Sequence, residues 1–90
     1  MIILPKDLRI KYLTFLKNNP ETNPEINYQK WANNYWDFCY KKKYEKKSDK
    51  SISLFLDKMV QYNKISDEIN QARSAFRLLF KIFYKEKNGR

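Results

Sequence analysis

The chain has 90 residues, of which 42% are hydrophobic and 17% aromatic; this is enough for one compact domain and too little for two. A single glycine and three prolines leave too few turn residues for an all-β fold, so the composition favours an all-α domain. With 19 lysines and arginines against 10 acidic residues the net charge is +9, and a domain this basic attracts polyanions, nucleic acid before anionic membrane.

The missing residue types exclude several kinds of chemistry. The chain contains no histidine and one cysteine, Cys39, so it lacks the commonest general base, an intrachain disulfide and the ligands of a zinc site. One glycine cannot build a phosphate-cradling loop. We therefore expect no catalytic site, no metal, no cofactor and a buried, inert Cys39 in a cytoplasmic protein. No run approaches the roughly 18 apolar residues of a membrane span, and the apolar start at 1–5 is too short for a signal peptide.

The first half of the chain contains two predicted helices. The first covers about residues 6–17, begins after Pro5 and ends before Pro20. Its apolar residues recur at helical spacing: Leu8, Tyr12, Phe15 and Leu16. The second covers about residues 25–42, with Asn23 as the expected cap and Pro24 as its first residue. Its apolar face comprises Tyr28, Trp31, Ala32, Tyr35, Phe38 and Cys39.

The second half also contains two predicted helices, and a lysine-rich loop at 41–50 precedes them. The third helix is expected to begin after Ser48 or Ser51, and its apolar positions are Ile52, Phe55, Leu56, Met59 and Val60. The fourth helix follows a short connection at 62–65 and runs from a cap at Ser66 to about Tyr84, with a frayed tail at 85–90. Its core face comprises Ile69, Ala72, Phe76, Leu79, Phe80 and Phe83. We expect Trp31, Tyr35, Phe55, Phe76 and Leu79 to share one core.

The polar faces of the second and fourth helices are the candidate DNA-binding surface. Arg73, Arg77 and Lys81 are spaced by four residues and so form one row on the fourth helix. Arginine can bind guanine, asparagine and glutamine can bind adenine, and lysine can bind phosphate. The full predicted set adds polar neighbours on both helices: Lys30, Asn33, Asn34, Lys41, Asn70, Gln71 and Ser74. The alternative for the basic row is an ordinary solvated face, and the lysine loop can reach phosphates without reading sequence.

The order and spacing of the core residues resemble a known family. The pattern is Tyr28-x-x-Trp31-x-x-x-Tyr35-x-x-Phe38-Cys39, then Phe55-Leu56-x-x-Met59, then Gln71-Ala72-x-x-Ala75-x-x-x-Leu79-x-x-x-Phe83-Tyr84. It resembles the N-terminal core-binding, or SAM-like, domain of tyrosine recombinases and phage-type integrases. The likeness is greatest to integron-type integrases, which also open with Leu-Pro and carry Asp-Phe-Cys, as at 37–39. Many relatives have threonine or serine where this chain has Pro24, which puts that hydroxyl's phosphate contact in doubt.

The resemblance implies a compact, four-helix SAM-like orthogonal bundle covering residues 1–90, with its core at about 5–86. In such recombinases this domain forms half of a clamp around double-stranded DNA for site-specific recombination. The strand-cutting residues belong to a separate C-terminal catalytic domain, absent from these 90 residues, to which residues 87–90 would be a tail or linker. We expect a DNA-binding monomer without enzymatic activity of its own. The alternative function is a helical protein-interaction module, which an exposed patch of Trp36 and Tyr40 would favour.

Overall fold

The structure is a computed structural model that describes residues 2–62 and 65–88, with side chains as far as Lys85. It contains four helices: α1 (Lys6–Asn18), α2 (Tyr28–Lys42), α3 (Asp49–Gln61) and α4 (Ser66–Asn88). Since the described residues contain no strand, the predicted all-α four-helix bundle is confirmed. In this part of the chain, no helix is both long enough and apolar enough to cross a membrane.

Helix α2 begins later than the sequence pattern predicts. The Asn27 side chain accepts a hydrogen bond from the backbone N–H of Lys30 at 3.1 Å and so caps the helix. Asn23, the predicted cap, instead accepts from the N–H of Glu25 at 2.9 Å. Asparagine commonly closes such a local turn two residues ahead. The predicted cap at Asn23 and first residue at Pro24 are therefore wrong, because this turn precedes the helix.

Helix α2 ends at a residue in the left-handed backbone conformation. Lys43 has φ 60° and ψ 36°, a conformation in which glycine avoids the steric cost of a Cβ atom. The Lys43 N–H lies within hydrogen-bonding distance of the Tyr40 carbonyl, at 3.3 Å, so the last turn of the helix is closed by the backbone. The chain then reverses toward α3.

Helices α3 and α4 also refine the predicted bounds. Ser48 caps α3, accepting from the Lys50 N–H at 3.2 Å, which decides between the two predicted caps. In α4, Ser66 is the first helical residue and not the cap, because the Ile69 N–H donates to the Ile65 carbonyl. The helix continues to Asn88, past the predicted end near Tyr84. The helix can continue because residues 85–88 include no glycine or proline. Lysines in this last turn are also stabilised by the negative end of the helix dipole.

One aromatic core lies between the helices. The five residues predicted to share it are all buried in one cluster: Trp31, Tyr35, Phe55, Phe76 and Leu79. The Tyr35 ring lies 5.0 Å from the Phe76 ring, and Phe55 meets Phe76 edge to face at 5.2 Å. Such edge contacts add to the free energy of burial. Cys39 is fully buried, as predicted, and burial raises the pKa of its thiol.

Helix α4 is the central element because it contacts each of the other three helices. Its contacts with α2 follow the same order along both helices: Trp31 with Gln71, Tyr35 with Phe76, and Trp36 with Phe83. The two helices therefore run in the same direction. Helix α4 also packs against α1, where the buried Tyr12 hydroxyl donates a hydrogen bond to the Ala75 carbonyl at 2.9 Å.

Candidate nucleic-acid interface

The predicted row on α4 exists as an exposed, convex strip of cations. We call Arg73, Arg77 and Lys81 the basic row. Their four-residue spacing places them one turn apart on the side of α4 that is turned away from the buried stripe. The Arg77 side chain is 54% exposed and that of Lys81 is 45% exposed. Asn70 is exposed and Ser74 is half-buried, and helix geometry places both beside the basic row.

Glu21, which no sequence pattern predicts to be in the site, lies against the basic row. Its Oε1 atom is 2.7 Å from Lys81 Nζ and 3.6 Å from Arg77 Nη1. The hydrogen bond from Lys81 is the main reason that the pKa of Glu21 is lowered. One carboxylate oxygen is thus shared by two cations from successive turns of α4. This is the geometry in which two cations hold one phosphate oxygen.

Gln71 does not join the basic row. Its Oε1 accepts from the Trp31 indole N–H at 3.5 Å, so its side chain points toward α2. Successive helical residues are rotated by about 100°, which separates Gln71 from Asn70 despite their adjacency. The two amides expected to lie together near base edges are therefore on different sides of α4.

The α2 residues of the predicted set divide between two roles. Lys30, Asn34 and Lys41 line a groove between α2 and α3. Asn33 instead binds the N-terminal segment, because its Oδ1 accepts from the Leu4 N–H at 3.0 Å. Leu4 itself is almost fully buried. Asn33 thus has a structural role in anchoring the segment before α1.

Asp37 strengthens the same anchor. Its Oδ1 accepts from the Ile2 N–H at 2.9 Å, and its Oδ2 lies 3.1 Å from Lys41 Nζ. The Ile2 hydrogen bond is the main cause of a lowered pKa for Asp37. The positive charge of Lys41 is therefore already compensated in part by a carboxylate.

The predicted residues of the two helices do not line the same groove. Helix α4 packs Phe76 and Phe83 against α2, and no residue of the basic row lines the α2–α3 groove. Helix α2 turns Tyr35 toward α4, while Lys30 and Asn34 border α3. The predicted site residues therefore form two separate sets, one on α4 and one in the α2–α3 groove.

The lysine-rich loop covers residues 43–48 and not the predicted 41–50, because α2 continues to Lys42 and α3 begins at Asp49. Two of its lysines pack on the bundle. Lys46 Nζ lies 5.5 Å from the centre of the Trp36 ring, and Lys47 Nζ lies 5.3 Å from that of Phe83. The Tyr35 hydroxyl donates to the Lys46 carbonyl at 2.8 Å. Cation–ring contacts of this length are attractive. The loop thus packs on the aromatic core through these three contacts.

The surface expected of a protein-interaction module is not formed by the predicted pair. Trp36 is 8% exposed, whereas Tyr40 is 58% exposed. Trp36 belongs to the core, where it packs against Phe83, so the two side chains do not make one aromatic patch.

Comparison of the chain with protein-family models, curated proteins and solved structures finds no match. Among the described residues, no group of three or more cysteine or acidic side chains could hold a metal ion. Function is therefore inferred from the geometry and charge of the surfaces themselves.

Proposed function

We propose that this chain binds double-stranded DNA as the core-binding domain of a tyrosine recombinase. The observation that carries the proposal is the basic row of α4, which already holds the carboxylate of Glu21 between two of its cations. A DNA phosphate is likewise an anion whose oxygens accept hydrogen bonds from cations. The resemblance in the pattern of core residues supports the recombinase assignment.

A convex helix with exposed cations fits the shape of duplex DNA. The major groove is about 12 Å wide and admits an α-helix. Arg73 and Arg77 would face the phosphates or a guanine edge, and Asn70 and Ser74 beside them would add polar contacts. The Gln71 and Asn33 side chains bind other parts of the bundle, and Lys41 lines the α2–α3 groove. We therefore assign the first contacts to the exposed basic row. The net charge of +9 would attract the duplex over a longer range.

In this proposal the chain has no enzymatic activity by itself. A C-terminal catalytic domain of the parent recombinase would cut and join the strands, while this domain would form half of the clamp around the duplex. The parent recombinase would be cytoplasmic. An isolated half-clamp makes few contacts, so its affinity for DNA is low. We expect a monomer in isolation, which sedimentation of the purified chain tests directly.

The decisive experiment is titration of duplex DNA at two salt concentrations against wild type and Arg73→Ala/Arg77→Ala. Each phosphate contact contributes about 0.9 to the log–log salt slope for duplex DNA, so the double variant should bind more weakly and with a slope smaller by up to about 1.8.

The matched control is Lys6→Ala/Lys17→Ala, which removes two exposed charges from α1. It should retain most of the affinity. Equal binding and an equal salt slope for wild type and a folded Arg73→Ala/Arg77→Ala protein would contradict the proposed DNA face. If DNA binding is lost only when the lysines at 41–50 are substituted, the DNA contact belongs to that lysine-rich segment instead.

A further inference from the structure

A groove between α2 and α3 has a different chemistry from the basic row. Its volume is about 620 Å³, and the first turn of α4 closes one end. The floor is apolar and is formed by core side chains, among them Trp31, Phe38, Phe55 and Met59. Each of these four is at least nine-tenths buried. Tyr62, which is 68% exposed, stands at the rim.

Lysines surround this apolar floor. Lys30, Lys42 and Lys58 all line the groove, and no carboxylate pairs with them within residues 2–62 and 65–85. Two of these lysines are held by aromatic rings. Lys30 Nζ lies 4.9 Å from the centre of the Trp31 ring, and Lys58 Nζ lies 5.1 Å from that of Phe38. The ammonium groups are therefore kept at the rim while their alkyl stems cover apolar surface.

We infer that this groove binds an acidic segment of a partner protein that carries a bulky apolar side chain between its carboxylates. The lysines would receive the carboxylates, and the floor with Tyr62 would receive the apolar anchor. Complementary charge around a buried anchor is the usual organisation of a specific protein interface. The inference is independent of the proposed DNA binding, because none of the residues of the basic row lines the groove.

The shape and composition of the groove favour a peptide over a DNA duplex. A duplex is convex and presents phosphates on its outside, so it cannot place an apolar group on the floor. A peptide side chain can enter a concave site of this volume and leave flanking carboxylates at the rim. Of the two acidic residues that line the groove, Asp37 is already paired with Lys41 at 3.1 Å, so Lys30, Lys42 and Lys58 outnumber the remaining carboxylate of Glu68.

The test uses the whole 90-residue chain and a synthetic peptide of alternating glutamate and leucine. A matched peptide of glutamate and serine has the same charge but no apolar anchor. Binding is followed by NMR through the two indole N–H resonances. The glutamate–leucine peptide should saturate and shift the Trp31 resonance, while Trp36, which lies outside the groove, should shift little.

Lys30→Gln/Lys58→Gln should weaken peptide binding about tenfold, since two charged contacts to carboxylates are lost. The control Lys6→Gln/Lys17→Gln should change it little, and Arg73→Ala/Arg77→Ala should leave it intact. Failure of the peptide to saturate, equal binding of the glutamate–serine peptide, or equal shifts of both indoles would overturn the inference. Loss of DNA binding in Lys30→Gln/Lys58→Gln without any peptide binding would show that the groove is a nucleic-acid surface instead.

Discussion

Replacing Glu21 with glutamine should increase the affinity for duplex DNA. Glutamine keeps the size and an acceptor oxygen of the side chain but removes the charge that lies 2.7 Å from Lys81 and 3.6 Å from Arg77. In the wild type, a phosphate must displace this carboxylate before it contacts either cation. In Glu21→Gln both cations are released beforehand.

The size of the effect follows from the two contacts. Opposite unit charges about 4 Å apart in water change an equilibrium constant by roughly fivefold. The second cation adds attraction, whereas exposure and side-chain ordering reduce it, so we expect a dissociation constant about fivefold lower at low salt. The advantage should shrink toward twofold near 0.15 M salt, where the screening length is about 8 Å.

Fluorescence anisotropy with a labelled duplex measures this change at both salt concentrations. The matched control is Glu25→Gln, which makes the same change in net charge within the same connection. The exposed Glu25 carboxylate makes no ion pair among the described residues. An equal gain in both variants would mean that net charge alone is responsible. No gain in Glu21→Gln would show that DNA does not contact Arg77 and Lys81, and the phosphate analogy would be wrong.

Three further predictions concern stability and reactivity. Tyr12→Phe removes the buried hydrogen bond to the Ala75 carbonyl and should lower the free energy of unfolding by about 1 kcal/mol in denaturant titration. Burial raises the pKa of Tyr12 above 10.0, so the free energy of unfolding of the wild type should fall as pH rises above about 10. The fall should be smaller in Tyr12→Phe, and the same pH dependence in both proteins would contradict this. Lys43→Gly should stabilise by on the order of 1 kcal/mol by relieving the left-handed residue, whereas Lys42→Gly, inside the helix, should destabilise by about as much. Cys39 should react with iodoacetamide only after unfolding; rapid alkylation of the folded protein would refute its burial.

The sequence predicts the helices well because their cores are periodic. Apolar residues at spacings of three and four identify one face of each helix, and that signal is repeated over several turns. Helix ends depend on single hydrogen bonds, which the pattern does not contain. Asn23 and Asn27 are both good caps by residue type. Only the folded chain shows that Asn23 closes a local turn and Asn27 caps α2.

The candidate site was predicted less completely for a related reason. Spacing correctly places Arg73, Arg77 and Lys81 in one row, since that depends only on helix geometry. It does not reveal that Glu21, 56 residues before Arg77 in the chain, reaches the row from the α1–α2 connection. Nor does it show that Asn33 and Asp37 bind the segment before α1. These contacts join residues that are distant in sequence, and no local pattern encodes them.

The central position of α4 has a consequence for synthesis of the protein. The other three helices meet one another through few contacts and obtain most of their buried partners from α4. During translation, Tyr35 and Phe55 therefore emerge from the ribosome before Phe76 exists to cover them. A nascent chain that ends before α4 exposes an aromatic surface of the kind that chaperones bind, and cooperative folding waits until the last quarter of the chain has left the exit tunnel.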